Sequence, residues 1–180
     1  MSHAGSTLVL GGARSGKSTF AEQVTCRNGH PKIYIATATA GDDEMRARIA
    51  HHRRRRGEGW RTIEEPLQIC EVIAREALAD RVVLLDCLTL WLSNVMHAGL
   101  LVDAETRRLA DQLQRTACPI VLVSNEVGLG LVPETPLGRS FRDAQGQLNQ
   151  LIAASVPNVV FVAAGLPLWL KHHPAQGTSQ

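Results

Sequence analysis

Residues 11–18 read Gly11-Gly12-Ala13-Arg14-Ser15-Gly16-Lys17-Ser18, which matches the pattern G-x-x-x-x-G-K-[ST]. An apolar run, Leu8–Leu10, stands directly before it and predicts a strand that enters the loop. Glycines let the backbone turn tightly, so that amide N–H groups point at phosphate oxygens, and the following helix adds its positive N-terminal end. Lys17 would reach the outer phosphates, and the Ser18 hydroxyl would ligate Mg²⁺. An ordinary glycine turn at a helix start is the alternative. The strand in front favours a protein that binds nucleoside triphosphates.

The composition is typical of a soluble globular protein. A chain of 180 residues can bury about 70% of its unfolded surface, and we expect one domain over residues 1–171 with a flexible, polar tail over 172–180. The net charge of +2 gives no overall field that would favour nucleic acid. No basic region followed by an apolar stretch begins the chain, and no apolar stretch approaches the ~20 residues that span a bilayer. We therefore expect no signal peptide and no membrane insertion.

The cysteines indicate a reducing compartment. They lie far apart, without C-x-x-C spacing, at Cys26, Cys70, Cys87 and Cys118. Such cysteines are usually buried, reduced thiols, which is typical of a cytoplasmic protein.

Apolar runs that predict strands alternate with segments that predict helices. The predicted strands are Thr7–Leu10, Lys32–Ala36, Trp60–Glu64, Val82–Leu85, Ile120–Val123 and Val159–Ala163. The predicted helices cover residues 17–26, 42–55, 66–79, 88–97, 104–117 and, as one or two helices, 137–154. This alternation indicates an α/β fold with a mostly parallel sheet flanked by helices. With the loop at 11–18, the fold class is a P-loop NTPase of the RecA-like kind.

Polar residues follow several of the predicted strands. Thr37, Asp86 and the pair Asn125-Glu126 all stand where a strand ends. Ligands of open parallel sheets bind beyond the carboxyl ends of the strands, so these residues and the phosphate loop predict one site at one edge. Asp86 either holds Mg²⁺ or caps the next helix. Proteins with a phosphate loop bind Mg²⁺ together with the nucleotide, so the loop favours the metal-binding role of Asp86.

A basic, histidine-containing segment follows the second strand. His51 and His52 are adjacent, so on a helix they point about 100° apart. His52 is either a histidine favoured by a helix C-terminus or a nucleophile that attacks phosphorus. The run Arg53–Arg56 is either a solvated face or a clamp for phosphates. Glu64 either accepts a hydrogen bond from a base or ribose or faces solvent.

Taken together, these residues resemble the bifunctional adenosylcobinamide kinase / adenosylcobinamide-phosphate guanylyltransferase family of cobalamin biosynthesis. The resemblance runs from near residue 7 to near residue 164. The matching stretches are 11–18, Tyr34-Ile35-Ala36-Thr37, Asp42-Asp43-Glu44-Met45 with Arg48-Ile49 and the histidine pair, Trp60-Arg61-Thr62, Leu85-Asp86-Cys87-Leu88-Thr89, Ser124-Asn125-Glu126-Val127-Gly128, Val132-Pro133-Glu134, Phe141-Arg142-Asp143 and Leu148-Asn149-Gln150.

The resemblance implies a cytoplasmic enzyme with two activities. It would phosphorylate adenosylcobinamide with ATP or GTP, and then transfer GMP from GTP through a histidine–GMP intermediate to give adenosylcobinamide-GDP and pyrophosphate. The family pattern R-I-x-x-H maps the histidine onto His52, with Lys17 as the other catalytic residue. The phosphate-loop chemistry places Mg²⁺ on Ser18 and Asp86, and the resemblance implies a trimer. The nucleotide contacts it implies are Gly11, Gly12, Ala13, Arg14, Ser15, Gly16, Lys17, Ser18, Ala36, Thr37, Ala38, Arg53, Arg54, Arg55, Arg56, Glu64 and Asp86.

Three other functions are compatible with the phosphate loop alone. A small-molecule kinase without the histidine step would form no covalent adduct. A RecA-like motor would need hydrolysis stimulated by nucleic acid, which the near-neutral charge disfavours. A module that only senses nucleotide would show no turnover.

Overall fold

The computed structural model describes residues 5–38 and 57–172. Its centre is a seven-stranded sheet with the order β3-β2-β4-β5-β1-β6-β7. The strands are β1 Thr7–Gly11, β2 Lys32–Ala36, β3 Trp60–Glu64, β4 Val82–Asp86, β5 Ile120–Asn125, β6 Asn158–Ala163 and β7 Leu166–Lys171. Neighbouring strands from β3 to β6 run parallel, and β7 is antiparallel to β6. The predicted mostly parallel α/β fold is confirmed.

Helices cover both faces of the sheet. They are α1 Lys17–Cys26, α2 Ile69–Glu76, α3 Leu88–His97, α4 Val102–Leu113 and α5 Pro136–Ser155. Successive side chains of a strand point to opposite faces, so Val9 packs with Ala21 of α1, whereas Leu8 and Leu10 join the larger cluster formed with α2–α5. The central strands are therefore buried on both faces, which explains their continuous apolar runs.

Two helices differ in extent from the predictions. The helix predicted over 66–79 covers only Ile69–Glu76. The Glu65 carboxylate accepts hydrogen bonds from the backbone N–H groups of Leu67 and Gln68, which holds the preceding residues in a turn. The helix predicted over 104–117 covers Val102–Leu113. It begins earlier than predicted because the Leu101 carbonyl already accepts from the N–H groups of residues 104 and 105. The segment predicted as one or two helices is the single helix α5.

Strand β7 was not predicted. Its sequence, Leu166-Pro167-Leu168-Trp169-Leu170-Lys171, contains a proline and lies at the edge of the sheet. Proline lacks the N–H that a ladder needs and is confined to edge strands, so its presence weakens a strand pattern. Only pairing with β6 identifies this segment as a strand.

Further predictions concern the cysteines, the membrane, the helix over 42–55 and the tail. Cys70, Cys87 and Cys118 are buried, but Cys26 is exposed at the end of α1, so the prediction was wrong for that thiol. No helix in the described parts of the chain combines the length and apolarity needed to cross a bilayer. The predicted helix over 42–55 and residues 173–180 of the predicted tail lie outside the described residues. The division into one domain and a tail stays a prediction.

Candidate active site

The parallel register brings the polar strand ends to one edge of the sheet. Gly11 pairs with Asn125 across β1 and β5, and Ala36 pairs with Asp86 across β2 and β4. The Glu126 N–H donates to the Gly11 carbonyl at 3.1 Å, which joins the two loops that follow β1 and β5. The phosphate loop therefore lies at the same edge as Thr37, Asp86 and Asn125-Glu126.

The phosphate loop is a tight structure between β1 and α1. The Ser15 N–H donates to the Gly12 carbonyl at 3.3 Å, and Lys17 Nζ donates to the same carbonyl at 3.1 Å. Gly16, at the N-cap of α1, has φ +95°, a left-handed conformation that favours glycine. The lysine ammonium thus lies over the loop at the start of a helix, where phosphate oxygens are favoured.

The turn between β6 and β7 supports the phosphate loop. The Gly165 N–H donates to the Ser15 carbonyl at 2.8 Å. A Cβ on Gly16 would lie 3.1 Å from Gly165 Cα, so the two backbones approach closely. The sequence pattern does not indicate this support, because it depends on the unpredicted strand β7.

Asp86 is half-buried at the end of β4, and its neighbours fix its position. The Tyr34 hydroxyl donates to Asp86 Oδ2 at 3.3 Å. Next to it, Thr37 Oγ1 donates to the Cys87 carbonyl at 2.7 Å and accepts from the Cys87 N–H at 2.8 Å. Asn94 Nδ2 donates to the Thr37 carbonyl at 2.9 Å. These contacts tie the ends of β2 and β4 to α3.

Cys87 lies beside the candidate acid but is not a nucleophile at neutral pH. Burial raises the pKa of its thiol to about 12, and the negative charge of Asp86 acts in the same direction. The thiol therefore stays protonated, and its contribution is its place in the core cluster that also includes Val9 and Ala21.

A buried polar network holds the end of β5. Gln145 Nε2 donates to Ser124 Oγ at 2.9 Å, and Ser124 Oγ donates to Asn149 Oδ1 at 2.7 Å. Asn149 Nδ2 donates to the Asn125 carbonyl at 3.1 Å, and the Asn125 N–H donates to Thr89 Oγ1 at 2.8 Å. The network fixes the loop that faces the phosphate loop. Asn149 belongs to one of the family motifs, but the spacing of the motifs does not predict its hydrogen bond to the Asn125 carbonyl in β5.

The remaining predicted residues fall in three places. Ala36 ends β2 and Ala38 lies just beyond it, and both are half-buried. Glu64 is exposed at the end of β3, opposite Ala36. His52 and the arginines Arg53–Arg56 lie outside the described residues. Ser18, in the first turn of α1, and Asp86 offer a hydroxyl and a carboxylate oxygen. Such hard oxygen donors suit Mg²⁺, which is usually bound by few protein groups together with phosphates.

Solved structures share this fold at low sequence identity. A solved ATPase domain superposes with a TM-score of 0.52 and 12% identity, covering 89% of this chain and 70% of that one. The flagellar accessory protein FlaH from Methanocaldococcus jannaschii gives a TM-score of 0.55 and 15% identity, covering 100% and 84%. These similarities establish the P-loop, RecA-like fold.

Other proteins share much higher sequence identity with this chain. The bifunctional adenosylcobalamin biosynthesis protein CobP of Pseudomonas aeruginosa is 48% identical over 93% of this chain and 98% of its own length. The bifunctional adenosylcobalamin biosynthesis protein CobU of Escherichia coli is 40% identical over 91% and 98%. The model of the cobinamide kinase / cobinamide phosphate guanyltransferase family matches residues 7–170. The chain belongs to that family of nucleotide-dependent enzymes.

Proposed function

We propose that this chain phosphorylates adenosylcobinamide with ATP or GTP and then transfers GMP from GTP to the phosphate, releasing pyrophosphate. The observation that carries the proposal is the meeting of the phosphate loop and Asp86 at one sheet edge, in a chain whose residues 7–170 match the family. The enzyme would act in the cytoplasm as a homo-oligomer, a trimer by resemblance to its family.

In the kinase step, the main role of the chain is to hold the triphosphate. The loop amides and Lys17 would stabilise negative charge on the transferred phosphoryl group. Ser18 and Asp86 would hold Mg²⁺, which when bound neutralises charge on the phosphates. The aminopropanol hydroxyl of the corrinoid attacks the γ-phosphorus, its proton is lost to solvent, and nucleoside diphosphate leaves.

In the guanylyl step, His52 would act as the nucleophile. A neutral imidazole nitrogen attacks the α-phosphorus of GTP, a P–N bond forms, and the P–O bond to pyrophosphate breaks. A phosphate oxygen of the corrinoid then attacks the same phosphorus and frees the imidazole. Dividing one displacement into two predicts ping-pong kinetics. Arg53–Arg56 would bind the triphosphate, and Ala36–Ala38 and Glu64 would contact the nucleotide.

The test follows the label from GTP. Wild type, His51→Ala and His52→Ala are incubated with Mg²⁺ and GTP labelled at either the α- or the γ-phosphate, then denatured. We expect an acid-labile, base-stable α-label on the protein that is lost only in His52→Ala. His51→Ala is the matched control, since the two histidines are neighbours in the sequence. An unlabelled wild-type protein would remove the covalent step and leave a phosphate-loop kinase or ATPase.

A second variant tests whether both steps use one loop. Lys17→Ala removes the ammonium group that lies over the loop. We expect phosphorylation and guanylylation to fall together, because both start from a triphosphate held at the same place. Unchanged guanylylation in this variant would mean that the two activities use separate nucleotide sites.

A further inference from the structure

A pocket of about 450 Å³ opens between the C-terminal half of α3 and the N-terminal turns of α5. Met96 and Phe141, which pack against the main core, are part of its wall. Its lining is mostly apolar and includes Ser93, Met96, His97, Thr135, Leu137 and Phe141. None of these side chains takes part in holding the phosphate loop or Asp86.

The helix geometry places this pocket next to the active-site edge. Thr89 and Gln145 both contact the end of β5, through Asn125 and Ser124. Ser93 lies one turn along α3 from Thr89, and Phe141 lies one turn along α5 from Gln145. One turn is about 5 Å, so the pocket begins about one turn away from the strand end that pairs with Gly11. A ligand in the pocket could thus extend a short arm to the phosphate loop.

The described lining contains neutral polar groups and no carboxylate, lysine or arginine. His97 Nδ1 lies 2.7 Å from the Ser93 carbonyl oxygen, so that nitrogen must carry the proton that it donates. In the neutral ring Nε2 is then left as an acceptor. Such a surface does not suit a triphosphate. It suits an apolar ring system that carries uncharged amide arms.

The loop between β5 and α5, which leads in sequence to the pocket residues Thr135 and Leu137, carries exposed apolar side chains. Leu129, Leu131 and Val132 are 83%, 97% and 62% exposed, and Leu137 at the pocket itself is 64% exposed. Large exposed apolar side chains that stand together commonly mark a binding surface. The pocket is too small for a whole corrinoid, but an edge of the ring can enter it while the loop covers more of the ring.

We propose that the pocket between α3 and α5 binds a methyl-bearing edge of the corrin ring, with His97 Nε2 accepting from an amide arm. The inference rests on the proposed function, because it assigns the corrinoid-binding surface of that enzyme. The ring edge would sit against Met96 and Phe141, and the aminopropanol arm would point along α3 toward the phosphate loop.

The test uses two pocket variants of the full chain. Ser93→Trp fills the pocket, and Leu137→Asp places a charge at an exposed position on its wall. Leu78→Asp is the matched control: Leu78 is also exposed, at 45%, but precedes β4 at the opposite edge of the sheet. The Kd for cobinamide, which is coloured, is measured by equilibrium dialysis. The Kd for GTP and the sedimentation coefficient are measured on the same samples.

We expect each pocket variant to bind cobinamide at least about tenfold more weakly, since each removes apolar contact or buries a charge. GTP binding and the control variant should stay within about twofold of wild type, a change of less than about 0.5 kcal/mol. Wild-type affinity for cobinamide in both pocket variants would overturn the inference and leave the proposed function intact. A change confined to the sedimentation coefficient would also overturn it, because the surface would then be a contact between copies of the chain. A wild-type protein that binds GTP but not cobinamide would overturn the proposed function as well.

Discussion

Thr37 and Cys87 exchange two hydrogen bonds through one hydroxyl: Thr37 Oγ1 donates to the Cys87 carbonyl at 2.7 Å and accepts from the Cys87 N–H at 2.8 Å. Both residues follow the last residue of a strand, β2 and β4 respectively. The side chain of Thr37 is fully buried, so water cannot replace either bond. This contact fixes the backbone next to Asp86.

Replacing the Thr37 hydroxyl should impair both stability and catalysis. In Thr37→Val a buried N–H and a buried carbonyl lose their side-chain partner, which should cost about 1–3 kcal/mol in the free energy of unfolding. The kcat of phosphorylation should fall because Asp86 is no longer held in place. Urea unfolding and steady-state assays measure the two effects. Thr37→Ser keeps the hydroxyl and should retain most of both; equal losses in the two variants would contradict this assignment.

Two adjacent glycines of the phosphate loop should respond differently to alanine. A Cβ on Gly11 would lie 2.5 Å from the Val162 carbonyl oxygen and 2.6 Å from Ser15 Oγ, whereas one on Gly12 would meet nothing within 4 Å. Gly11→Ala should lower stability by about 1–3 kcal/mol through overpacking. The Tm without nucleotide should drop by roughly 3–10 °C. Gly12→Ala should keep the wild-type Tm, and an equal drop would show that the close approach at Gly11 is not the cause.

A buried carboxylate should make stability depend on acid pH. The Glu76 side chain is only 3% exposed and accepts hydrogen bonds from the guanidinium groups of Arg61, Arg75 and Arg81. The hydrogen bond from Arg75 is the main cause that lowers the pKa of Glu76 from its usual 4.5, and it outweighs the opposing effect of burial. Because the folded pKa is the lower one, this contribution is complete above the unfolded pKa and is lost as pH falls through the folded value.

Glu76→Gln should therefore destabilise the protein by about 1–3 kcal/mol at pH 7. The difference from wild type should shrink as the pH is lowered below 4.5, the usual pKa of the carboxyl. Urea unfolding across the pH range measures it, with the exposed Glu58→Gln as control. A difference that is the same at pH 7 and at pH 3 would mean that packing, not charge, explains the loss.

In the folded protein, only one of the four cysteines should react rapidly with a thiol reagent. Burial raises the pKa of Cys70 and Cys118 to about 11 and that of Cys87 to about 12, whereas Cys26 is exposed. At pH 8 a chromogenic disulfide reagent should react rapidly with one thiol per chain, and with all four after denaturation. Cys26→Ser should abolish the rapid phase. A rapid phase that survives in that variant would mean that a second cysteine is accessible.

Much of the fold could be predicted because its signals are local. The continuous apolar runs at 82–85 and 120–123 are typical of strands buried on both faces, and the structure has β4 and β5 there. The helix boundaries near 66 and 104 were less accurate, since side-chain and backbone hydrogen bonds around Glu65 and Leu101 decide where each helix begins. Strand β7 escaped prediction because an edge strand with a proline has no distinct pattern of its own.

The sequence by itself determined the phosphate loop and the family. Phosphate binding requires particular residue types at fixed spacings, and both the residues at 11–18 and the motifs that follow can be read directly from the sequence. The family also indicated His52, whose role stays a prediction. Only the tertiary structure decided what surrounds the loop. It gave the hydrogen bond from Gly165 to the Ser15 carbonyl, the hydrogen bond from Tyr34 to Asp86, and the pocket that Ser93 lines. These contacts join residues far apart in the chain, and such contacts depend on strand order and helix placement rather than on any local pattern.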